Sequence, residues 1–155
     1  MYLELLNPPY YGFDGCADAN VFLAGVFHCF GKDCSLVMES SSQEETIKNA
    51  LAGISDRIGE AETTCSIVNG RFAPGLRYEL HLGRTMPKAL SDICEHHATL
   101  EYCDNCFVFR AGAPILLWFD FNCGDCNDIV VRPEVEEEIV RALAARTELR
   151  WQKRQ

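Results

Sequence analysis

Four of the chain's nine cysteines stand in two pairs, Cys103-Asp-Asn-Cys106 and Cys123-Gly-Asp-Cys126, with sixteen residues between the pairs. Two residues between cysteines let one tight turn aim both sulfurs the same way, and two such turns can close a tetrahedron of thiolates around Zn²⁺. The residues between must then bring the turns together. They read Phe107 to Arg110, a turn at Ala111-Gly-Ala-Pro114, and Ile115 to Phe121, which is strand, turn, strand. A hairpin sets the residues before its first strand beside those after its second, so both pairs meet at its open end. Cys103, Cys106, Cys123 and Cys126 are therefore expected to hold a structural zinc ion. Four sulfurs leave no open coordination position, so the expected metal serves stability and not turnover. An odd cysteine count also excludes complete internal disulfide pairing, and a dense set in a reducing compartment favours metal or catalysis over a disulfide framework.

Over about residues 103–131 the arrangement resembles a zinc ribbon, two cysteine turns on a small antiparallel sheet. That resemblance implies a metal-stapled hairpin and, as an alternative function, an adaptor that docks into a larger assembly. The chain departs from the pattern in that neither turn has the proline or trailing glycine such knuckles often carry. A second resemblance is local: Ile115 to Cys126 is similar to the strand and Cys-Gly-x-Cys turn of a thioredoxin, which would imply a thiol oxidoreductase using Cys123 and Cys126. Two features oppose it. Ile129, Val130 and Val131 favour a strand where a helix should follow, with Arg132 pushed out of the α region by Pro133, and Cys103 and Cys106 are left unused. Cys16, Cys29, Cys34, Cys65 and Cys94 sit among apolar neighbours and read as small buried hydrophobes. His28 with Cys29, Cys34 and Cys65, and Cys94 with His97, are incomplete ligand sets.

Apolar spacing supplies the rest of the fold. A helix is expected from Ser42 to about Glu60, where Ser42 and Glu45 form a capping box and Ile47, Leu51, Ile54 and Ile58 make one stripe. A second is expected from about Pro133 to Leu149, with acidic residues in its first turns and Arg141, Arg146 and Arg150 toward its end. A third spans about Met86 to His97. Leu76 to Leu82 alternates as a half-buried strand and can pair with Thr64 to Val68 across Asn69-Gly70. Val21 to Phe30 and Cys34 to Glu39 flank Gly31-Lys-Asp33 as a hairpin, although the first arm also fits a buried helix. The expected fold is a single α+β domain over 1–155. Its sheet is largely antiparallel and built from β-hairpins in the order ββα-ββα-ββα, with about three helices packed on it.

Charge narrows the partners. The chain carries 23 acidic against 14 Lys and Arg side chains, a net charge of −9. Without residues 141–155 the remainder holds 22 acidic and nine basic groups. Such a body lacks the basic footprint that phosphate binding needs, so nucleic acid is not an expected partner. No glycine-rich phosphate loop, His-Glu-x-x-His or Gly-x-Ser-x-Gly occurs, and enzymatic activity is not expected. No apolar run is long enough to span a bilayer and no leader is visible, so the expected location is the cytoplasm, with no membrane partner.

A small, acidic, motif-poor α+β chain is similar in character to bacterial immunity proteins. The expected function is a non-enzymatic inhibitor of a basic protein, namely an antitoxin-like immunity protein against a nucleic-acid- or nucleotide-directed bacterial toxin. The candidate partner-binding carboxylates are Glu44, Glu45, Glu60, Glu62, Asp104, Asp125, Asp128, Glu134, Glu136 and Glu137.

Overall fold

The structure, a computed structural model, describes residues 5–15, 17–119 and 128–155. In chain order the elements are β1 (Tyr10–Asp14), α1 (Ala19–Cys29), β2 (Cys34–Ser40), α2 (Glu45–Ile54), β3 (Arg57–Val68), β4 (Arg71–His81) and α3 (Lys88–His96). They continue with α4 (Thr99–Tyr102), β5 (Asn105–Arg110), β6 (Ala113–Phe119), β7 (Asp128–Val131), α5 (Glu137–Thr147) and β8 (Arg150–Arg154). All eight strands form one sheet in the order β3-β4-β2-β5-β6-β7-β1-β8, with every neighbouring pair antiparallel. The domain is thus α+β with an antiparallel sheet. The repeating order of hairpins and helices expected from the sequence does not occur. No helix among the described residues is long and apolar enough to cross a membrane.

Three differences from the sequence reading have physical causes. The segment Val21 to Phe30, which fits a hairpin arm or a buried helix, is helix α1, because Asp18 caps it by accepting the Val21 N–H at 3.1 Å. Phe22, Leu23, Val26 and Phe27 then make a buried face. Helix α2 stops at Ile54, well short of Glu60. Ser55 turns out of the helix and its hydroxyl donates to the Leu51 carbonyl at 2.6 Å. The Asp56 N–H goes to the Glu79 carbonyl, and Arg57 to Glu60 join the sheet opposite Glu79 to Leu76. Ladder pairing therefore overrides the helical stripe at Ile58, which is left 46% exposed on an edge strand. The capping box is not made either. Glu44 is the N-cap, without a side-chain cap bond, and the Ser42 hydroxyl accepts the Glu44 N–H at 3.3 Å.

The third difference lies at the two ends of the chain. Helix α5 begins at Glu137 and ends where Glu148 takes the left-handed conformation, φ 57° and ψ 25°. The residues beyond it, read from the sequence as helix-completing cations, form edge strand β8. Strand β1, from a segment rich in Pro and Gly, lies between β7 and β8.

One face of the sheet carries the main core. Phe22 and Val26 of α1, Ile47 and Leu51 of α2, Leu90 and Ile93 of α3, and Val140 and Leu143 of α5 pack on Leu36, Met38, Tyr78, Leu80, Leu116 and Ile129. The opposite face has a smaller cluster in which Leu5 covers Val37, Phe107 and Leu117. The Arg132 guanidinium holds that cover by donating to the carbonyls of Leu5 and Asn7 at 3.0 and 3.1 Å.

Strands β3 and β4 run on past β2 as a two-stranded arm. Strand β2 pairs β4 only from Leu76 to His81, whereas β3 and β4 pair outward to Val68 and Arg71. The tip is a two-residue turn at Asn69 and Gly70, both with positive φ (52° and 74°). A bulge between Glu60 and Cys65 bends the arm at its base. Glu39, 1% exposed, sits under that bulge and accepts the N–H groups of Glu62 (2.9 Å) and Thr63 (3.1 Å) and the Thr63 hydroxyl. Asn105 donates to the same hydroxyl at 2.7 Å. Gly75 lets the arm cross the end of β2 closely, since a Cβ there would lie 2.7 Å from the Ser40 carbonyl oxygen. Replacing Glu39 with Ala removes the acceptor of two N–H groups and a hydroxyl in a partly buried site, and is expected to cost about 3 kcal/mol by urea unfolding.

Candidate partner surface and thiol cluster

Cys103 and Cys106 are held at the start of β5, just beyond the short helix α4. Cys103 caps that helix through its N–H to the Thr99 carbonyl at 2.8 Å, and its thiol donates to the Asn105 carbonyl at 3.2 Å. Both side chains are buried, at 3% and 1% exposure. Hydrogen bonding with Cys106, then burial, pushes the Cys103 thiol well above its ordinary value. Next to them the Tyr102 hydroxyl donates to the Cys94 sulfur at 3.5 Å, and burial raises both groups.

Cys123 and Cys126 lie outside the described residues, so the expected four-sulfur set is represented here by its first pair. The hairpin itself is present: β5 pairs β6 with Asn105 opposite Phe119, and β6 pairs β7 with Phe119 opposite Asp128. The chain therefore leaves β6 and re-enters β7 at the end of the sheet where β5 begins. Among the described residues no three His, Cys, Asp or Glu side chains gather as a metal site. The smaller sets noted in the sequence are not assembled. Cys34 is buried in β2 and Cys65 is exposed on the arm, while His97 is drawn to Glu101 at 3.3 Å and Cys94 to Tyr102.

The candidate carboxylates separate into two groups. Around the end of β2, Asp104 accepts the Ser41 N–H at 2.6 Å and Glu62 is anchored through its backbone to Glu39. Glu44 is tied to Ser42, and Glu45 opens α2 with Lys48 at 3.7 Å. Glu60 lies just before the bulge on edge strand β3. At the far end of β5 the second group meets basic side chains. Arg110 reaches Glu136 at 3.2 Å and Asp33 at 3.5 Å, and Arg141 reaches Glu137 at 3.6 Å. Glu134 is exposed beside them. Asp125 and the side chain of Asp128 lie outside the described residues. Among the described residues Glu44, Glu60 and Glu134 carry no ion pair.

Positive charge collects on the opposite edge of the sheet. Arg150, Lys153 and Arg154 lie along β8, with Lys153 over the Tyr11 ring at 5.8 Å and Arg141 over the Trp151 ring at 5.4 Å. Charged residues on a short edge strand guard its open ladder, which accounts for their position. Two structural features go beyond their sequence signals: Glu39 lies in a segment expected only as a strand, and the hairpin expected across Asn69-Gly70 extends past β2 as an arm. The Asn-Gly turn flanked by Ile67 and Phe72 is the signal that marks the arm's tip.

Comparison with family models, curated proteins and solved structures gives no match for this chain.

Two predictions follow from the side-chain environments. Of Cys29, Cys34, Cys65, Cys94, Cys103 and Cys106, the exposed Cys65 is expected to react first with iodoacetamide, while Cys103 and Cys106 stay protected until unfolding, as mass spectrometry of timed aliquots would record. The Glu136 carboxyl is held below its ordinary value by its own backbone N–H and then by Arg110. Its folded value lies below its unfolded one, so its contribution is present at neutral pH and is lost as the pH falls through the folded value. Arg110→Gln is expected to move the Glu136 titration, followed by NMR, back toward the ordinary carboxylate range.

Proposed function

We propose that this chain is a non-enzymatic acidic binding protein that neutralises a basic protein partner, in the manner of an immunity protein against a bacterial toxin directed at nucleic acid or nucleotides. It acts in the cytoplasm, where its carboxylates stand in for the phosphates that the partner's Lys and Arg side chains bind. The observation that carries this reading is the unbalanced charge, 23 acidic against 14 basic groups. Glu44, Glu45, Glu60, Glu62 and Asp104 offer it at one end of the sheet, while the β8 cations occupy the opposite edge. An excess of one sign steers an oppositely charged partner and speeds its association. Asp125 and Asp128, and at the far end of β5 Glu134, Glu136 and Glu137, are further candidate carboxylates in the same proposal.

A structural zinc ion held by Cys103, Cys106, Cys123 and Cys126 staples the β5–β6 hairpin. The burial of Cys103 and Cys106 at the start of β5, and the antiparallel pairing that returns β6 to that point, support this assignment. Zinc supplies a closed tetrahedral cross-link there, and four thiolates leave two negative charges on the site. Cys103→Ser is expected to lower zinc content and melting temperature together. If the replacement leaves both unchanged while a Cys123–Cys126 disulfide still cycles, the zinc assignment is wrong and the redox one gains.

The functional reading is tested by purifying the tagged chain from its native cell at low salt and identifying what is retained. A single stoichiometric basic protein is expected, with an association rate that falls several-fold as ionic strength rises. Salt-insensitive association removes the steering argument.

A further inference from the structure

We propose that the outward face of the β3–β4 arm, formed by Cys65, Ile67, Phe72 and Pro74, is the docking element for a basic protein that offers an apolar pocket rimmed by Lys and Arg. This rests on the acidic-inhibitor reading and names the surface that reading leaves open. Cross-strand pairing puts Cys65 opposite Pro74 and Ile67 opposite Phe72, so these four share one face of the ribbon. The other face is fastened to the body, since Ser66 is 6% exposed and its hydroxyl donates to the Ser41 carbonyl at 3.1 Å. The apolar face is turned away. Ile67 is 66% exposed and Phe72 81%, and neither belongs to a core cluster.

A two-stranded ribbon is marginal by itself, and one with a solvated Phe-Ile pair at its tip gains nothing from those side chains in the free protein. The arm nonetheless has a specified direction. A buried carboxylate, costly in itself, is committed to holding the bulge that aims it. Rigid presentation of an aromatic and an aliphatic anchor is the form that interface hot spots take, with little ordering left to do on binding.

What covers the face is selected by the charges at its base. Glu60 and Glu62 precede the arm on β3, and Glu44, Glu45 and Asp104 surround Ser41 and Ser42, to which the arm is tied. Near them the positive groups are Arg57 and Arg77, the latter paired with Glu79 at 3.8 Å, Lys48, which is paired with Glu45, and Arg71 at the tip, so carboxylates outnumber cations at the base of the arm. An apolar centre with an acidic rim complements an apolar pocket with a basic rim. A second copy of this chain brings the same net charge of −9 and is repelled.

The test uses the full isotope-labelled chain and two named probes, a short peptide of alternating Leu and Lys, and oligolysine of equal length. The Leu-Lys peptide is expected to bind about tenfold more tightly than oligolysine, from burial of the arm's apolar pair. Its amide shifts are expected to concentrate at residues 65–74 and at Glu60 and Glu62. The double variant Ile67→Ser, Phe72→Ser should reduce the Leu-Lys affinity to that of oligolysine and leave oligolysine binding unchanged. Phe72→Lys, at a solvated position, gives a second variant with the same expected loss should the double variant fold poorly. Equal affinity of the two probes, or shifts elsewhere, with oligolysine still bound, overturns the arm assignment and leaves the acidic reading standing. Binding of neither probe overturns both. A dimer in sedimentation that the double variant abolishes reassigns the face to a second copy and overturns the proposal.

Discussion

Strand β2 is buried along almost its whole length and on both faces, and the rest of the molecule is arranged to cover it. Toward the helices it presents Leu36 and Met38 to the main core, the ordinary solution for an antiparallel sheet with one face packed. Toward the other face it presents Val37 and Glu39, where no helix lies among the described residues. Covering that side takes two devices. Leu5 lies over Val37, Phe107 and Leu117 and is pinned by Arg132, and the base of the arm closes over Glu39 through three hydrogen bonds to its carboxylate. The second is the more demanding, because a charge removed from water must be met by donors at close range. The direction of the arm is set by that requirement.

The sequence was most informative where one physical signal acted alone. The stripe Ile47, Leu51 gave α2, Leu90 and Ile93 gave α3, and Asn69-Gly70 gave the hairpin turn, each seen in the structure. It was least informative where local preference and tertiary pairing disagreed. Ile58 continues a helical stripe but is taken by the β4 ladder, and Arg150 to Arg154 has the composition of a helix end yet pairs with β1. Strand β1 was missed because Pro8, Pro9, Gly12 and Gly15 punctuate it as a loop, while its partners β7 and β8 are both far away in sequence. Among the candidate site residues, Cys103 and Cys106 lie buried at the start of the β5–β6 hairpin, the strand-turn-strand that the sequence after them implies. Single-sequence patterning could not register that the carboxylates divide between the two ends of β5, since that depends on long-range register.

Cations line β8 at one edge of the sheet, whereas the β3–β4 pair at the other edge carries both signs, Glu60, Glu62 and Glu79 with Arg57, Arg71 and Arg77, and carboxylates gather around the end of β2. The β3–β4 pair is also the one from which the solvated Ile67 and Phe72 project, fixed in direction by an anchor that lies inside the fold.

The most direct measurement is growth of a host that expresses the basic protein retained by this chain, alone and together with it. The account predicts arrest when the partner is expressed alone and recovery when this chain is supplied, with recovery lost for the Ile67→Ser, Phe72→Ser variant. A partner that is harmless alone, or arrest that this chain does not relieve, would contradict neutralisation as its function.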